Sequence, residues 1–440
     1  MEPISGFSKL SKLEKIDLLS AKYFSDDRRV RETFKRFWHH DETEQRVFDE
    51  FSENTLTNFY MPYGVVPNLK INGKNYCVPM VIEESSVVAA CARSANFWFH
   101  RGGFKAQVIS NTKIGQVHLQ WKGDTLKLFE LFQIEKASLL EEVTPFVKNM
   151  IERGGGIKDI ELRDLTHLDD GYFQLWCTFD TCDAMGANFI NTVLETFGRL
   201  FKDKVSKSEM MVGEEKNLQV VMAILSNYTP DSRVRVEVSC PISELEDSSL
   251  GMSAEEFASK FYKAVKISKM DVNRATTHNK GIFNGIDAVV LATGNDYRAV
   301  EACGHTYASR DGQYRGLSDC SIQNGEFHFS LELPMSIGTV GGLTRLHPMA
   351  RTSLDMLGRP NASELMQIIA TVGLAQNFAA LRSLTTSGIQ KGHMKMHLMN
   401  ILNHLEANEP ERDQVRQYFE DKVISFKEVR EYLGKLRHLV

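Results

Sequence analysis

The sequence lacks the motifs of several large classes of nucleotide-binding and metal-dependent enzymes. It contains no G-x-G-x-x-G fingerprint, no G-x-x-x-x-G-K-[ST] P-loop and no H-E-x-x-H zinc motif. A Rossmann domain, a P-loop nucleotide hydrolase and a zinc protease of that type are therefore excluded at the level of sequence. His393 and His397 have the i, i+4 spacing of a metal-binding pair, but Met394 occupies the position of the protease's glutamate.

The chain also has no long apolar run, no cysteine framework and no excess of basic residues. Its 7 cysteines are odd in number and form no C-x-x-C pair, which fits a reducing compartment. The best apolar run, Ile286 to Thr293, is too short to span a membrane, and Met1 to Leu13 lacks the apolar core of a signal peptide. With a net charge of -5, we expect a soluble cytoplasmic protein that binds neither nucleic acid nor membranes.

What is present is a pattern of helices and strands long enough, at 440 residues, for two or three domains. Asn72-Gly73 predicts a hairpin turn. Residues 110 to 225 alternate strands and two long helices in the order βαββα, which predicts a compact α+β insert. Further along, the pattern predicts a strand at Ala288 to Ala292 and two helices, Asn361 to Ala370 and Gly373 to Leu384.

Two clusters of charged residues lie next to apolar segments. Glu83 and Glu84 follow an apolar strand and precede an alanine-rich helix; they either cap that helix or supply a proton donor. Lys280 ends a polar run that begins at Arg274, and Asp296 follows 16 residues later. We place Lys280 and Asp296 in loops that flank the predicted strand. They form either a simple ion pair or an ammonium held ready for a developing oxyanion.

Two further segments are rich in small residues. Residues 182 to 188, Cys-Asp-Ala-Met-Gly-Ala-Asn, open a helix whose free N–H groups suit a phosphate, although an ordinary aspartate cap has the same appearance. Residues 337 to 342, Ile-Gly-Thr-Val-Gly-Gly, allow close backbone approach or form a plain turn.

Taken together, these segments resemble one family, the hydroxymethylglutaryl-CoA reductases. Residues 183 to 188 match the family's cofactor motif, and residues 338 to 342 match its GTVGG motif. The run from Asn273 to Asp296, the segment 373 to 377 and Gly392-His393-Met394 are similar to the soluble bacterial class, class II. The resemblance extends from about residue 50 to the C-terminus.

The resemblance implies a set of site residues. The family's catalytic glutamate falls on Glu84, although Ser85 stands where many relatives have proline, which leaves Glu83 as an alternative. The other implied catalytic residues are Lys280, Asp296 and His393; the implied substrate-binding residues are Arg274, Ser86, Asn284 and Gln376; the implied cofactor-binding residues are Asp183, Met185, Gly186 and Asn188.

The resemblance also implies a fold, a reaction and an assembly. We expect an α/β (α+β) protein with a large CoA-ester domain over 1–110 and 226–386, interrupted by a small ferredoxin-like, non-Rossmann NAD(P)-binding domain over 111–225. Residues 387–440 would form a mobile helical flap that carries His393. The enzyme would interconvert 3-hydroxy-3-methylglutaryl-CoA and mevalonate plus CoA by two hydride transfers, without a metal, as a homodimer or an assembly of dimers with its active sites at the subunit interface.

The choice between NADH and NADPH stays open. Asp159, placed at the end of a first cofactor-domain strand, could bond a ribose hydroxyl and repel a 2′-phosphate, whereas Lys158 could do the opposite. A surface charge pair explains both residues equally well. Two other functions remain as alternatives: a catalytically silent CoA-ester binding protein of the same fold, and a metal-dependent hydrolase built on His393 and His397.

Overall fold

The chain folds around three separate hydrophobic clusters in the computed structural model, which describes residues 3–246, 251–386, 398–420, 422 and 424–438. The helices, numbered in chain order, are Lys12–Tyr23 (α1), Arg28–Arg36 (α2), Glu42–Asp49 (α3), Val87–Phe99 (α4), Thr125–Ile151 (α5), Ala187–Lys207 (α6), Ala254–Met270 (α7), Val272–Ala292 (α8), Tyr297–Ala308 (α9), Leu343–Leu346 (α10), Pro348–Met356 (α11), Ala362–Thr385 (α12), Glu409–Tyr418 (α13) and Phe426–His438 (α14). The strands are Tyr63–Ile71 (β1), Lys74–Val81 (β2), Lys105–Val108 (β3), Lys113–Gln120 (β4), Gly156–Asp164 (β5), Tyr172–Asp180 (β6), Gln219–Leu225 (β7), Arg233–Pro241 (β8), Ser318–Gln323 (β9) and Glu326–Pro334 (β10).

The largest cluster lies between an antiparallel sheet of order β3-β8-β10-β9 and the helices α4, α7, α8 and α12. The hairpin of β1 and β2 turns at Asn72-Gly73, as predicted, and packs on α4. Strand β10 alternates buried and half-exposed side chains, as expected for a strand with one face on the core. The helices cover that face and bring the ends of β2, α8 and α12 together.

The second cluster belongs to a small unit of four antiparallel strands in the order β5-β6-β4-β7. Along the chain its elements run β4-α5-β5-β6-α6-β7, which is the ferredoxin-like βαββαβ pattern. This confirms the predicted α+β insert and adds β7, an edge strand that the sequence pattern did not predict. Val221 and Met222 of β7 are both exposed, so this strand lacks the alternation that marks a half-buried strand.

The chain enters and leaves the small unit at one place. The N–H of Ile109 donates to Arg233 O, and the N–H of Thr112 donates to Asp231 O, so the two connecting segments run side by side. The hydroxyl of Ser232 donates to Met335 O at 2.8 Å and so ties this crossover to the large sheet.

Two predictions of secondary structure were wrong. The expected strand at Ala288 to Ala292 is the second half of the helix α8, and the two expected helices between Asn361 and Leu384 are one helix, α12. The two helices cross closely, because a Cβ at Gly285 would lie 2.9 Å from Val372 O, and a Cβ at Gly373 would lie 2.9 Å from Ile286 Cγ1. The two glycines therefore allow the helices to pack closely where they cross, and neither glycine ends its helix.

The third cluster is small and lies in the C-terminal part of the chain. Leu402, Val415 and Val429 are fully buried within it, and α13 and α14 supply two of its sides. This agrees with the helical character that the sequence predicts for the C-terminal residues.

Candidate active site

Glu84, Lys280 and Asn284 meet at one end of the large unit. The ammonium of Lys280 donates to Glu84 Oε2 at 2.6 Å, and the amide of Asn284 donates to the same oxygen at 3.3 Å. Lys280 and Asn284 lie one turn apart on α8, so both face the same way. The side chain of Lys280 is 60% exposed and that of Glu84 is 38% exposed, so this group, the Glu84–Lys280 cluster, is open to a ligand.

The turn between β2 and α4 decides which acid enters this cluster. Glu83 is exposed and lies outside the contact, while Glu84 is half-buried and points to α8. Ser86 then begins α4 as its N-cap with φ of 73°, and its side chain makes no capping hydrogen bond. Because the serine hydroxyl is not used to cap the helix, it is available to a ligand beside Glu84.

Asp296 does not meet Lys280 within one chain. Since α8 continues to Ala292, the helix places Lys280 about 18 Å, measured along its axis, from the turn that carries Asp296. Asp296 instead caps α9 by accepting from the N–H of Arg298, and it forms an ion pair of 2.9 Å with the Arg298 guanidinium. Burial raises the pKa of Asp296, but these hydrogen bonds outweigh it and hold the pKa below its usual value. The expectation of neighbouring loops around a strand was wrong.

Two further predicted substrate residues, Arg274 and Gln376, have unused polar groups. Arg274 lies on α8 and forms no ion pair within the described part of the chain, and partial burial lowers the pKa of its guanidinium. Gln376 on α12 is 6% exposed, and its buried Oε1 has no hydrogen-bond partner among the described residues. A half-buried cation and a buried unpartnered amide are the groups that a polar ligand would satisfy.

The two small-residue segments come together in what we call the motif junction, formed by Asp183, Met185, Asn295, Gly338 and Thr339. The N–H of Thr339 donates to Asp183 O at 2.8 Å, and the N–H of Gly338 donates to Asn295 Oδ1 at 2.8 Å. A Cβ at Gly338 would lie 2.5 Å from the Met185 nitrogen, so only glycine permits this approach.

The side chain of Asp183 completes the junction by accepting from the N–H of Ala362 at 2.7 Å, at the start of α12. The junction therefore links the small unit to α12 and to the segment before α9.

The N-terminus of α6 lies next to the motif junction and fits part of a dinucleotide. Its N-cap, Gly186, has φ of 90° and no side chain with which to cap the helix, so it leaves the first N–H groups, such as that of Asn188, uncapped. A Cβ at Gly186 would lie 2.4 Å from Thr181 Cγ2, so glycine is required here. Free N–H groups at a helix N-terminus favour a phosphate.

Asp159 lies inside β5, opposite Thr178 of β6, and not at the end of a strand as expected. Its carboxylate forms an ion pair of 2.6 Å with Lys136 of α5, and this bond lowers the pKa of Asp159. The neighbouring Lys158 donates to Thr112 Oγ1 instead. The charge pair is thus formed with α5 and not between Lys158 and Asp159.

Three further features concern the two C-terminal histidines, metal binding and membrane spans. His393 and His397 lie outside them, so their geometry is not described. Among the residues that are described, no three histidine, cysteine or acidic side chains are grouped closely enough to hold a metal ion. Across the same residues, no helix combines the length and apolar character that crossing a membrane requires.

One titratable group on α8 has a perturbed pKa that the sequence alone does not predict. Asp287 lies seven residues after Lys280 on α8, and burial together with the neighbouring Glu301 carboxylate raises its pKa to about 8. An aspartate within an apolar run is visible in the sequence, but its partner on α9 is not.

Comparison with known proteins agrees with this arrangement. The family model described as hydroxymethylglutaryl-coenzyme A reductase matches residues 15–398. The 3-hydroxy-3-methylglutaryl-coenzyme A reductase of Archaeoglobus fulgidus is 34% identical over 99% of this chain and 94% of its own length. A probable enzyme of the same name from Borreliella burgdorferi is 33% identical over 92% of this chain and 90% of its own length.

Solved structures give the same result. The class II 3-hydroxy-3-methylglutaryl-CoA reductase of Streptococcus pneumoniae, bound to NADPH in open conformations, is 38% identical and has a TM-score of 0.72; the match covers 88% of this chain and all of that chain. A second structure from the same organism has the same TM-score at 36% identity and covers 99% of this chain. The resemblance on which the sequence predictions rest is confirmed, and the chain belongs to the hydroxymethylglutaryl-coenzyme A reductase family.

Proposed function

We propose that this protein interconverts 3-hydroxy-3-methylglutaryl-CoA and mevalonate plus CoA, as an oxidoreductase that uses NADH or NADPH. The observation that carries the proposal is the contact of Lys280 and Asn284 with Glu84 in an open position, in a chain of this family. A fixed ammonium beside a carboxylic acid is the pair of groups that reduction of a thioester carbonyl requires.

The direct test is an assay of both cofactors in both directions. NAD(P)H should be consumed when the CoA ester is added, and NAD(P)⁺ should be reduced when mevalonate and CoA are added. A folded protein that binds the CoA ester but turns over neither cofactor would be the catalytically silent binding protein, and the proposal would fail.

In the mechanism that we propose, Lys280 stabilises the oxyanion that forms when the thioester carbonyl is reduced. Glu84, in contact with the same ammonium, protonates the aldehyde oxygen in the second reduction. Arg274 binds the terminal carboxylate of the substrate, whose charge would satisfy its unpaired guanidinium. Ser86, Asn284 and Gln376 hydrogen-bond the remaining polar groups, and the buried Gln376 Oε1 requires a donor.

A bound nicotinamide cofactor supplies the hydride for each reduction. Asp183, Met185, Gly186 and Asn188 would hold it, because the free N-terminus of α6 suits its phosphates and the motif junction fixes the loop before that helix. In this proposal the unit over 111–225 is the cofactor domain, 1–110 with 226–386 form the CoA-ester domain, and 387–440 form the flap.

For the flap, we propose that His393, on which the family's C-terminal histidine falls, protonates the departing CoA thiolate. His393→Gln should therefore impair reduction of the CoA ester far more than reduction of free mevaldehyde, which has no thiolate to release. Equal losses on the two substrates would remove His393 from that step.

We infer that the protein is a homodimer and that Asp296 reaches Lys280 of a second copy. The inference is supported by the length of α8, which keeps the two residues of one chain about 18 Å apart along its axis. In a two-fold dimer each site would take Lys280 from one copy and Asp296 from the other.

The two inactive variants Lys280→Ala and Asp296→Ala can be refolded together to test this. Half of the dimers would be mixed, and each would contain one intact site of its two, so about a quarter of wild-type activity should return. No recovery in confirmed mixed dimers would show that both residues act within one chain.

A cytoplasmic location is part of the proposal. All seven cysteines are free thiols, which is the state expected in a reducing compartment. Fractionation of the source cells should therefore find the protein with cytoplasmic markers, and recovery with secreted or membrane fractions would contradict the assignment.

A further inference from the structure

Three buried polar side chains on three different elements form a continuous chain of hydrogen bonds behind the Glu84–Lys280 cluster. His278 on α8 is 1% exposed, Ser318 at the start of β9 is fully buried, and Asn377 on α12 is 1% exposed. His278 Nε2 lies 2.6 Å from Ser318 Oγ, and the serine hydroxyl donates to Asn377 Oδ1 at 2.7 Å. We call these three residues the polar relay; none of them has a part in the proposed mechanism.

The count of hydrogen atoms fixes the direction of each bond. Ser318 has one hydroxyl hydrogen and gives it to Asn377, so its oxygen must accept from His278, and His278 is protonated on Nε2. The Nδ1 atom then carries a lone pair, which has no partner among the described residues.

His278 stays neutral in this setting. Burial, together with the nearby positive charges of Arg274 and Lys269, lowers the pKa of its imidazole to about 3. A neutral, buried imidazole with one fixed donor is suited to holding neighbouring elements in place and not to exchanging protons with a substrate.

The polar relay is attached to the elements that carry the proposed site. His278 precedes Lys280 by two residues on α8, and Asn377 follows Gln376 directly on α12. Asn279 adds a second connection, since it donates to Arg315 O and accepts from the N–H of Leu317, both at 2.9 Å. These bonds resist any turn of α8 about its own axis.

Such a turn would redirect the ammonium. Two residues along an α-helix differ by about 200° around the axis, so His278 faces the interior while Lys280 faces the ligand side. A rotation that releases His278 on one side moves Lys280 on the other by a similar angle.

We propose that His278, Ser318 and Asn377 are positioning residues that fix the rotation of α8 and thereby the direction of the Lys280 ammonium towards Glu84. This inference rests on the proposed role of Lys280 in the reaction.

The test compares the loss of the central hydroxyl with the loss of a matched one. Ser318→Ala should lower kcat by about tenfold to a hundredfold, because small errors in placing a reacting group cost that much, while the KM for NAD(P)H stays within about twofold. The control is Thr371→Val, which removes a fully buried hydroxyl of α12 whose hydrogen bond, within the described part of the chain, goes to Gln367 O of its own helix. It should leave both constants within about twofold of wild type.

Two further variants address folding and rescue. Should Ser318→Ala fail to fold, Ser318→Cys keeps the size and weakens the hydrogen bonds, and it is judged by the same criterion. His278→Gln retains an N–H donor near the Nε2 position, so it should keep more of kcat than His278→Leu. If the residue only filled space, the two variants would have equal kcat values.

The results separate the positioning role from the role of Lys280 itself. If Lys280→Ala is inactive but Ser318→Ala matches the Thr371→Val control, the positioning role is refuted. It is also refuted if Ser318→Ala changes kcat and the KM for NAD(P)H in proportion. If Lys280→Ala keeps its turnover, the proposed role of Lys280 is refuted first.

Discussion

Glu84, Lys280 and Asn284 meet through charged and amide side chains that remain partly exposed, whereas Asp183, Met185 and Gly338 meet through backbone atoms at a glycine that tolerates no Cβ. The first group is open to solvent, and its remaining hydrogen-bonding positions are left for a ligand and, in our proposal, for Asp296 of a second copy. The motif junction already has its hydrogen bonds within one chain. Substitutions in the first region should therefore lower kcat, whereas substitutions in the second should weaken cofactor binding or lower stability.

The largest effect is expected for Lys280→Ala. Loss of the ammonium removes the stabilisation of the oxyanion and should lower kcat by about 10³-fold, while the melting temperature changes little because the side chain is mostly exposed. Steady-state kinetics and thermal unfolding measure both. Lys266→Ala on α7, another exposed lysine, is the control and should retain full activity. More than a few percent of activity in Lys280→Ala would contradict its role.

The next effect separates the two adjacent acids. Glu84→Gln should lower kcat by about 10²-fold, because an amide cannot donate the proton that the aldehyde oxygen requires, whereas Glu83→Gln should be close to wild type. The pair serves as its own control, since both changes remove one charge from the same turn. A silent Glu84 change with an inactive Glu83 change would assign the acid to the other residue.

A smaller effect of a different kind is expected at the motif junction. Gly338→Ala would place a Cβ 2.5 Å from the Met185 nitrogen, so the cofactor loop must move. Overpacking of this kind costs about 1–3 kcal/mol, and a cost of about 1.4 kcal/mol corresponds to a tenfold change in affinity. We expect the KM for NAD(P)H to rise by about tenfold and the melting temperature to fall.

The control for this change is Gly434→Ala on α14, where an added Cβ meets no atom within 4 Å. It should leave the KM for NAD(P)H unchanged and should not lower the melting temperature. If Gly338→Ala raised the KM for the CoA ester and left that for the cofactor unchanged, the division between the two regions would be incorrect.

The smallest effect concerns the choice of cofactor. Asp159→Ala removes a carboxylate that would repel a 2′-phosphate and leaves Lys136 without its acid partner. Two charges about 4 Å apart in water interact by about 1 kcal/mol, so the ratio of kcat/KM for NADPH to that for NADH should rise by about fivefold. Lys158→Ala should move the ratio in the opposite direction. An unchanged ratio would leave Asp159 as a structural ion pair.

The sequence predicts the small unit better than it predicts α8 and α12. In the small unit the long helices and alternating strands are separated by clear turns, and only the edge strand β7 was missed. In α8, by contrast, most of the run from Ile286 to Ala292 is buried, and apart from Asp287 all its residues are apolar. The residue types therefore show no helical period, and a buried helix and a buried strand look alike over so few residues. In α12 the sequence predicts a second helix that begins at Gly373, but this glycine lies inside one continuous helix and allows the close contact with Ile286.

The site shows the same limit. Motif order was sufficient to select Glu84, Lys280 and Asn284, and the structure brings these three residues together. The distance between Lys280 and Asp296 could not be predicted, because it depends on whether the segment between them rises by about 1.5 Å or about 3.3 Å per residue and on where the next helix begins. The relay from His278 to Asn377 was also invisible, since its members lie far apart along the chain.

The side-by-side segments at Ile109 and Arg233 determine how this architecture can be altered. Because entry and exit are adjacent, the inserted unit takes its own hydrophobic cluster with it and removes none of the larger one. A bridge of about two or three residues across that point would replace the insert and keep the strand order of the host sheet, β3-β8-β10-β9. A different domain could be inserted at the same point.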